Sequence, residues 1–370
     1  MDGLGVLSNP LSEVEMKKSI IFLLAWVGAW PSLAQWEHVD SSGNTVAYEQ
    51  RLYRDPQRGI PQPVVGRTYI PRIWGVPLAR FTRTDNGWDV AAVDQPTDWS
   101  DNARTGRTHR WDFSLLPTFT AQFGNFNQPI ESKTTLLLQT HVVLAKGLQF
   151  QGSVVLPLQN SLDGQPNEIR FGPSFLNYLT RIGSRHFVLA SAGYFYTDQY
   201  GVNVQYRNWS PTRRFNWGAE VSQSGTYFFF QDGQYHGPLD QLMALGYASY
   251  RLPRPDVTLQ VIGGQFLFGD RGVRAEMIRQ FTHVDVGFWG AYTRNGATVG
   301  FHLAVPLFPA FLRKAPVLQG RGATAPRLRM SEEFRWEYNY TRGFQIAERY
   351  RLGFRLDERL RMYERRVVGL

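Results

Sequence analysis

The chain has 370 residues, of which 43% are hydrophobic and 14% aromatic, with no Cys. That aromatic content excludes an intrinsically disordered chain. The lack of Cys excludes a disulfide scaffold, a Cys-zinc site and a thiol nucleophile. The net charge is +9, and 35 of the 40 basic residues are Arg, the side chain that forks onto carboxylates and phosphates and stacks on rings. Such a balance suits nucleic acid, acidic lipid or acidic polysaccharide.

Taken in chain order, the first feature is Met16 to Gln35, MKKSIIFLLAWVGAWPSLAQ. Lys17 and Lys18 precede an apolar run, Pro31 breaks it, and Ser32-Leu33-Ala34 offers small residues for a signal peptidase. The run is shorter than the ~20 residues of a bilayer span. The reading is therefore an exported protein that starts at Met16, after an upstream extension, and is cleaved near Ala34, so that 1–34 is removed. Export argues against nucleic acid as a partner. Residues 35–110 are rich in Pro, Trp, Arg and Asp with weak alternation, and read as a periplasmic or plug-like lead-in.

From residue 111 the pattern changes. Leu148, Phe150, Val154, Leu156 and Leu158 share one face of a run whose other face holds Gln149, Gln151 and Ser153. Val257, Leu259 and Val261 alternate with Thr258 and Gln260, and Val284, Val286 and Phe288 with Asp285 and Gly287. Val299, Phe301, Leu303 and Val305 alternate with Thr298, Gly300, His302 and Ala304. Period two means strands with one apolar and one polar face. Lys146-Gly147 and Asn295-Gly296 suit tight hairpin turns. About twelve strands are expected between Phe113 and Leu307.

Runs of 10–14 residues with aromatics near their ends, such as Tyr194 to Tyr196, Tyr227 to Phe230, Phe266 and Phe268, and Phe288, Trp289 and Tyr292, match the strands and girdles of an outer-membrane barrel. The predicted fold class is all-β: an antiparallel up-and-down transmembrane β-barrel over 111–310, with the N-terminal lead-in and a charged C-terminal extension. That segment, 311–370, holds 14 Lys or Arg and 7 Asp or Glu, and reads as charged strand or helix that could supply the last strands. The competing reading is a soluble β-fold carrying a carbohydrate-active enzyme or a lectin.

Several short pieces follow one another as an ordered series: Pro157-Leu158, Ile169-Arg170, Tyr200-Gly201-Val202, Gly218-Ala219-Glu220, Leu267-x-Gly269-Asp270-x-Gly272 and Pro306-Leu307. Over roughly residues 145–310 this series resembles the YjbH family, outer-membrane proteins linked to exopolysaccharide biosynthesis and export. The chain is short for that family. The resemblance implies a barrel in the outer membrane of a Gram-negative bacterium that assists polysaccharide passage or surface assembly. Its partners would be outer-membrane lipid, a polysaccharide chain and periplasmic export components. It implies no catalytic residues.

Charged residues on such strands must face inward, because a lipid-facing charge at mid-depth costs ~2–4 kcal/mol. Arg170, Arg207, Glu220, Asp270, Arg274 and Glu276 are the candidate lining. They could handle hydroxylated or acidic sugars, or pair with one another as interior Arg–Glu filling. Asp270 in Gly-Asp-Arg-Gly also reads as a turn residue bonded to its own backbone. His141, His186 and His302 fall within strands and read as inward-facing polar groups, and the seven His residues show no metal-ligand spacing. With no nucleophile elbow, phosphate loop or dinucleotide fingerprint, the chain reads as a non-enzyme without a cofactor or metal.

Overall fold

The computed structural model describes residues 38–49, 56–57, 60, 63–93, 111–123, 130–162, 165–196, 198–230, 233–252, 255–281, 284–306, 327–330, 333–341 and 352–364. The expected signal peptide lies outside the described residues. What is described is mostly β, in two sheets, with a single α-helix among the described residues.

The stretch read as a lead-in contributes a small sheet. Its strands are β1 (His38–Ser42), β2 (Thr45–Glu49), β3 (Thr68–Ile73), β4 (Val76–Pro77), β5 (Ala79–Thr84) and β6 (Gly87–Ala92). They run in the order β1-β2-β3-β5-β6, with β4 paired to β3 and a parallel β2–β3 contact. Its core is conventional: Val46, Tyr48, Tyr69, Leu78 and Phe81 are buried together.

The large sheet begins with β7 (Trp111–Phe123), β8 (Ile130–Ala145), β9 (Leu148–Asn160), the short β10 (Arg170–Phe171), β11 (Ser174–Ile182) and β12 (His186–Tyr194). It continues through β13 (Gln199–Asn208), β14 (Phe215–Phe230), the short β15 (Gly233–His236), β16 (Gln241–Leu252) and β17 (Val257–Gln265). It ends with β18 (Arg271–Gln280), β19 (Asp285–Thr293), β20 (Gly296–Pro306), β21 (Arg327–Met330) and β22 (Glu333–Thr341). From β7 to β20 each long strand pairs antiparallel with the next, while β10 and β15 hang on β9 and β14.

The two ends of this sheet are tied by the chain itself. β21 pairs parallel with β7 at one end, and β22 pairs antiparallel with β20 at the other. Met330 and Glu333 are three positions apart, a reach of at most about 11 Å.

Its faces are dressed in reverse of a water-soluble sheet. Val202, Val221 and Val299 are 51%, 50% and 60% exposed, while their neighbours Asn203, Glu220 and Thr298 are 2%, 1% and 3% exposed. Register lines the apolar residues into a belt. Phe215 stands opposite Tyr250, Tyr250 opposite Leu259, Leu259 opposite Met277, Met277 opposite Phe288, and Phe288 opposite Phe301. The adjacent row, Asn216, Ser249, Gln260, Glu276 and Trp289, is polar apart from its indole and lies on the other face. Val284, Val286, Phe288, Val299, Phe301 and Leu303 follow this rule: none of them is buried.

Apolar side chains enter the covered face where other elements dock. Leu179, Phe187 and Leu189 join the core of the small sheet. The β8–β9 turn sits between them: Gly147 N–H donates to Trp74 O at 2.7 Å, and Leu179 N–H donates to Gly147 O at 2.8 Å. Gly147 has φ +73, and a Cβ there would lie 2.1 Å from Leu179 O, so only glycine fits. The aromatic clusters do not all form an outer girdle, because Phe195, Tyr227, Phe266 and Trp289 are buried on the inner face.

Candidate functional site

The last described segment forms α1 (Leu356–Glu364). Two stripes at i, i+4, i+7 explain its seat. Leu356, Leu360 and Tyr363 join the apolar core with the small sheet. Asp357, Arg361 and Glu364 turn toward the polar face of the large sheet. Asp357 and Glu358 in the first turn complement the positive end of the helix dipole. Gln205 holds the helix entry from both sides: its amide donates to Phe354 O at 2.8 Å and accepts from Leu356 N–H at 3.1 Å. Tyr196 N–H donates to Leu352 O at 2.9 Å.

Arg207 on β13 and Glu220 on β14 meet α1 at a buried charge cluster. Arg207 lies 3.8 Å from both Glu220 and Asp357. Arg355 lies 3.1 Å from Asp357 and 3.8 Å from Glu220, and Arg361 lies 3.4 Å from Asp357. The Tyr247 hydroxyl on β16 donates to Glu220, and its ring lies 3.9 Å beneath the Arg207 guanidinium. Gln260 on β17 donates to Asp357 at 3.2 Å and accepts from Arg361 at 2.5 Å. Gly218 makes room for this: a Cβ there would lie 2.6 Å from Arg207 Cδ, so the arginine crosses β14 where that strand has no side chain.

Charge in the cluster is nearly balanced, with Arg207, Arg355 and Arg361 facing Glu220, Asp357 and Glu364. Burial alone would raise the Asp357 carboxyl, but Arg355, Arg207 and Arg361 outweigh it and hold it well below the usual carboxylate range. Burial lowers the Arg355 guanidinium by itself, yet Asp357, Tyr247 and Glu220 raise it well above the usual value. Glu364 goes the other way: burial pushes its carboxyl up against the pull of Arg361 and Arg251. It accepts from Trp209 Nε1 at 2.6 Å and Asn216 Nδ2 at 2.7 Å. Beside these groups lies a narrow cleft, partly open to solvent, with a volume of about 30 Å³, lined by Arg207, Trp209, Asn216, Gln260, Arg361 and Glu364 among others.

The remaining expected residues lie elsewhere. Arg274 and Glu276 pair at 2.7 Å on β18, with the Arg274 guanidinium 3.7 Å over the Trp289 ring. Asp270 is buried and is a turn residue through its backbone, whose N–H donates to Leu267 O at 3.4 Å and whose carbonyl accepts from Phe266 N–H at 2.7 Å, while its carboxylate accepts from the Asn295 side chain at 2.8 Å. Arg170 begins β10 and holds the loop before it, donating to Pro166 O at 2.9 Å and to Gln165 Oε1 at 2.5 Å. His302 is buried on the inner face. His186 is exposed and bonds Tyr206 at 2.7 Å, so it is not an inward group; it begins β12 on the apolar-exposed side.

A second, neutral region lines β8 to β12. Gln139 and Gln151 amides both donate to the Tyr196 hydroxyl, at 2.7 and 2.8 Å. Asn177 donates to Gln149 at 2.7 Å and accepts from Ser191 at 2.7 Å. The inner face is thus amide-rich on one side and charged on the other.

The reading from sequence missed Arg355, Asp357, Arg361 and Glu364. Their signal was present in LGFRLDERLRMYERR as the paired i, i+4, i+7 stripes. No protein-family model matches this chain, and no curated protein or solved structure matches it.

Proposed function

We propose that the large sheet is a transmembrane β-barrel in the outer membrane, of the YjbH type that the sequence resembles, assisting exopolysaccharide export or surface assembly without catalysis. The observation that carries this reading is the inverted dressing of the sheet. Full burial of a Val, Leu or Phe is worth ~1.5–3 kcal/mol, so each half-exposed one forgoes about 1 kcal/mol in water. Over the belt from Phe215 to Phe301 that sum reaches several kcal/mol, against a typical total stability of ~5–15 kcal/mol. Against lipid tails the loss disappears. Strands β11 to β20 other than β15, of 9 to 16 residues, meet the ~9–11 residues a tilted spanning strand needs. The tie between the sheet ends through β21 and β22 supports closure, which lipid demands of any spanning sheet.

In this reading the small sheet and α1 fill part of the interior, so the protein handles a polymer through weak contacts along a lined wall. Many exchangeable hydrogen bonds let a chain move, whereas tight ones would stall it. The test is fractionation of the source bacterium followed by deletion. The protein is expected in the outer-membrane pellet and to need detergent for extraction, and the deletion strain is expected to make polymer that fails to reach the surface. Recovery in the soluble fraction would overturn the barrel. Normal surface polysaccharide in the deletion strain would overturn the export role.

A further inference from the structure

The outward face of the large sheet changes character at one end. Alternate turns of an antiparallel meander share an end, so the β8–β9, β13–β14 and β18–β19 turns lie together, at the end where Gly147 meets Trp74 of the small sheet. The belt from Phe215 to Phe301 is apolar, but the outward row two residues nearer this end holds Arg279, opposite Val257 on one side and Val286 on the other. Arg279 is exposed, and its guanidinium lies 4.9 Å over the ring of Phe281, itself 44% exposed. Arg213 and Arg214 stand in the loop that leads into β14. Arg214 O accepts from Arg251 N–H at 2.8 Å, so the loop continues the β14–β16 ladder past Phe215. Both arginines are exposed, as is Lys146 on the β8–β9 turn. Arg213, Arg214 and Arg279 pair with no acid among the described residues, and Asp256 on the β16–β17 turn pairs with Arg251 instead. At the opposite end, exposed Arg271 and Arg294 share their rim with exposed Glu168 and Asp240, so charge there is mixed.

We propose that this basic rim binds the phosphate headgroups of an anionic phospholipid, of the phosphatidylglycerol kind, in the leaflet on the side of the small sheet. Direction selects lipid over polymer. Arg279 belongs to the outward set of β18 with Val273 and Met277, whereas a polymer would meet the inward set that holds Arg274 and Glu276. Depth agrees. A charge at mid-bilayer is costly and one at the boundary is nearly free. Arg279 stands roughly 7 Å beyond Met277 along the strand, with its stem on Phe281 and its head free to reach phosphate level. Tyr206 and Trp217, ring to ring at 5.4 Å on the same outward face, are the amphipathic residues that sit at headgroup depth. The adjacent forks of Arg213 and Arg214 match phosphate oxygens. The bilayer as the source of the phosphate rests on the barrel reading above; the attraction of the rim for a phosphate-bearing surface does not need the sheet to span.

The test reconstitutes the full chain in nanodiscs of equal phosphatidylglycerol and phosphatidylcholine, extracts it in mild detergent, and counts the retained lipids by native mass spectrometry. Phosphatidylglycerol is expected to be retained in preference. The preference is expected to collapse when extraction is done in about 1 M NaCl, where charges act only within ~3 Å. Each basic residue near an anionic surface is worth roughly fivefold. Arg213→Gln, Arg214→Gln and Arg279→Gln together are therefore expected to cut the preference by roughly tenfold or more, whereas Arg271→Gln with Arg294→Gln at the opposite end leaves it unchanged. No preference in the native chain, a preference that survives the triple variant, or an equal loss in the double variant would overturn the rim. Loss of the lipid to inorganic phosphate or to trigalacturonate, beyond that caused by chloride of the same ionic strength, would overturn the lipid assignment. A protein that stays soluble yet pellets with phosphatidylglycerol vesicles through these arginines would overturn the barrel and leave the rim standing; a protein that spans the bilayer without preferring phosphatidylglycerol would do the reverse.

Discussion

The small sheet and the large sheet use the same alternation and place it oppositely. In the small sheet Tyr48, Leu78 and Phe81 are sealed inside, as water requires. In the large sheet Val202, Val221 and Val299 stand outside, and Asn203, Glu220 and Thr298 are sealed in. Period two separates two faces without saying what either one meets. On the barrel reading proposed above, the difference between the sheets is that of two solvents acting on one chain, water on the first and lipid on the second.

The sharpest ways to break that comparison are substitutions on the buried faces. Phe81→Ala should cost ~3–5 kcal/mol by urea unfolding in micelles, as for an aromatic removed from an ordinary core. Glu220→Ala should cost a similar ~3–5 kcal/mol, because it leaves the Tyr247 hydroxyl and the Asn203 amide without their buried acceptor and removes one of the carboxylates that balance Arg207 and Arg355. If the large sheet were covered by apolar packing, Glu220 would be dispensable and the second value would fall near zero.

On the exposed faces the expected effects are smaller and depend on solvent. Val261→Arg, mid-strand on β17, should cost ~2–4 kcal/mol in a bilayer. If that face met water the change would stay within about 0.5 kcal/mol.

The smallest expected effect is on pH dependence. Glu364 has a raised folded value, so its contribution to stability is full below the ordinary carboxylate range and is lost as pH rises through the raised value. Glu364→Gln keeps an acceptor for Trp209 and Asn216 and should remove that decline, seen as a flatter unfolding midpoint from acid to neutral pH. Asp357 works in the opposite sense: its contribution is present above the ordinary range and is lost as pH falls through and below it.

Much of the large sheet was legible because alternation is local. Leu148 to Leu158, Val257 to Val261 and Thr298 to Leu303 each declare two faces within one strand, and Gly147 and Gly296 declare their turns. The pairing of Arg274 with Glu276 was legible for the same reason, since both sit on one face of β18. What joins Arg207 to the C-terminal helix was not. Gln205 and Phe354 are 149 positions apart, and no local pattern tells a polar face which distant element will cover it. His186 and the inward Trp289 escaped for a related reason: polarity was taken to set direction, whereas the phase of the strand sets it, and ring stacking under Arg274 then satisfies the inward indole.

The absence of native Cys opens the most direct test of the reversed sheet. Single Cys residues placed in turn along Phe215 to Ser224, spin-labelled in liposomes, report oxygen and water-soluble relaxant access at each position. Oxygen access is expected to peak at 215, 217, 219 and 221 and to vanish at 216, 220 and 222, with relaxant access low throughout the lipid-facing set. Relaxant access at 217 and 221 equal to that of a freely hydrated loop would put that face in water and contradict the account.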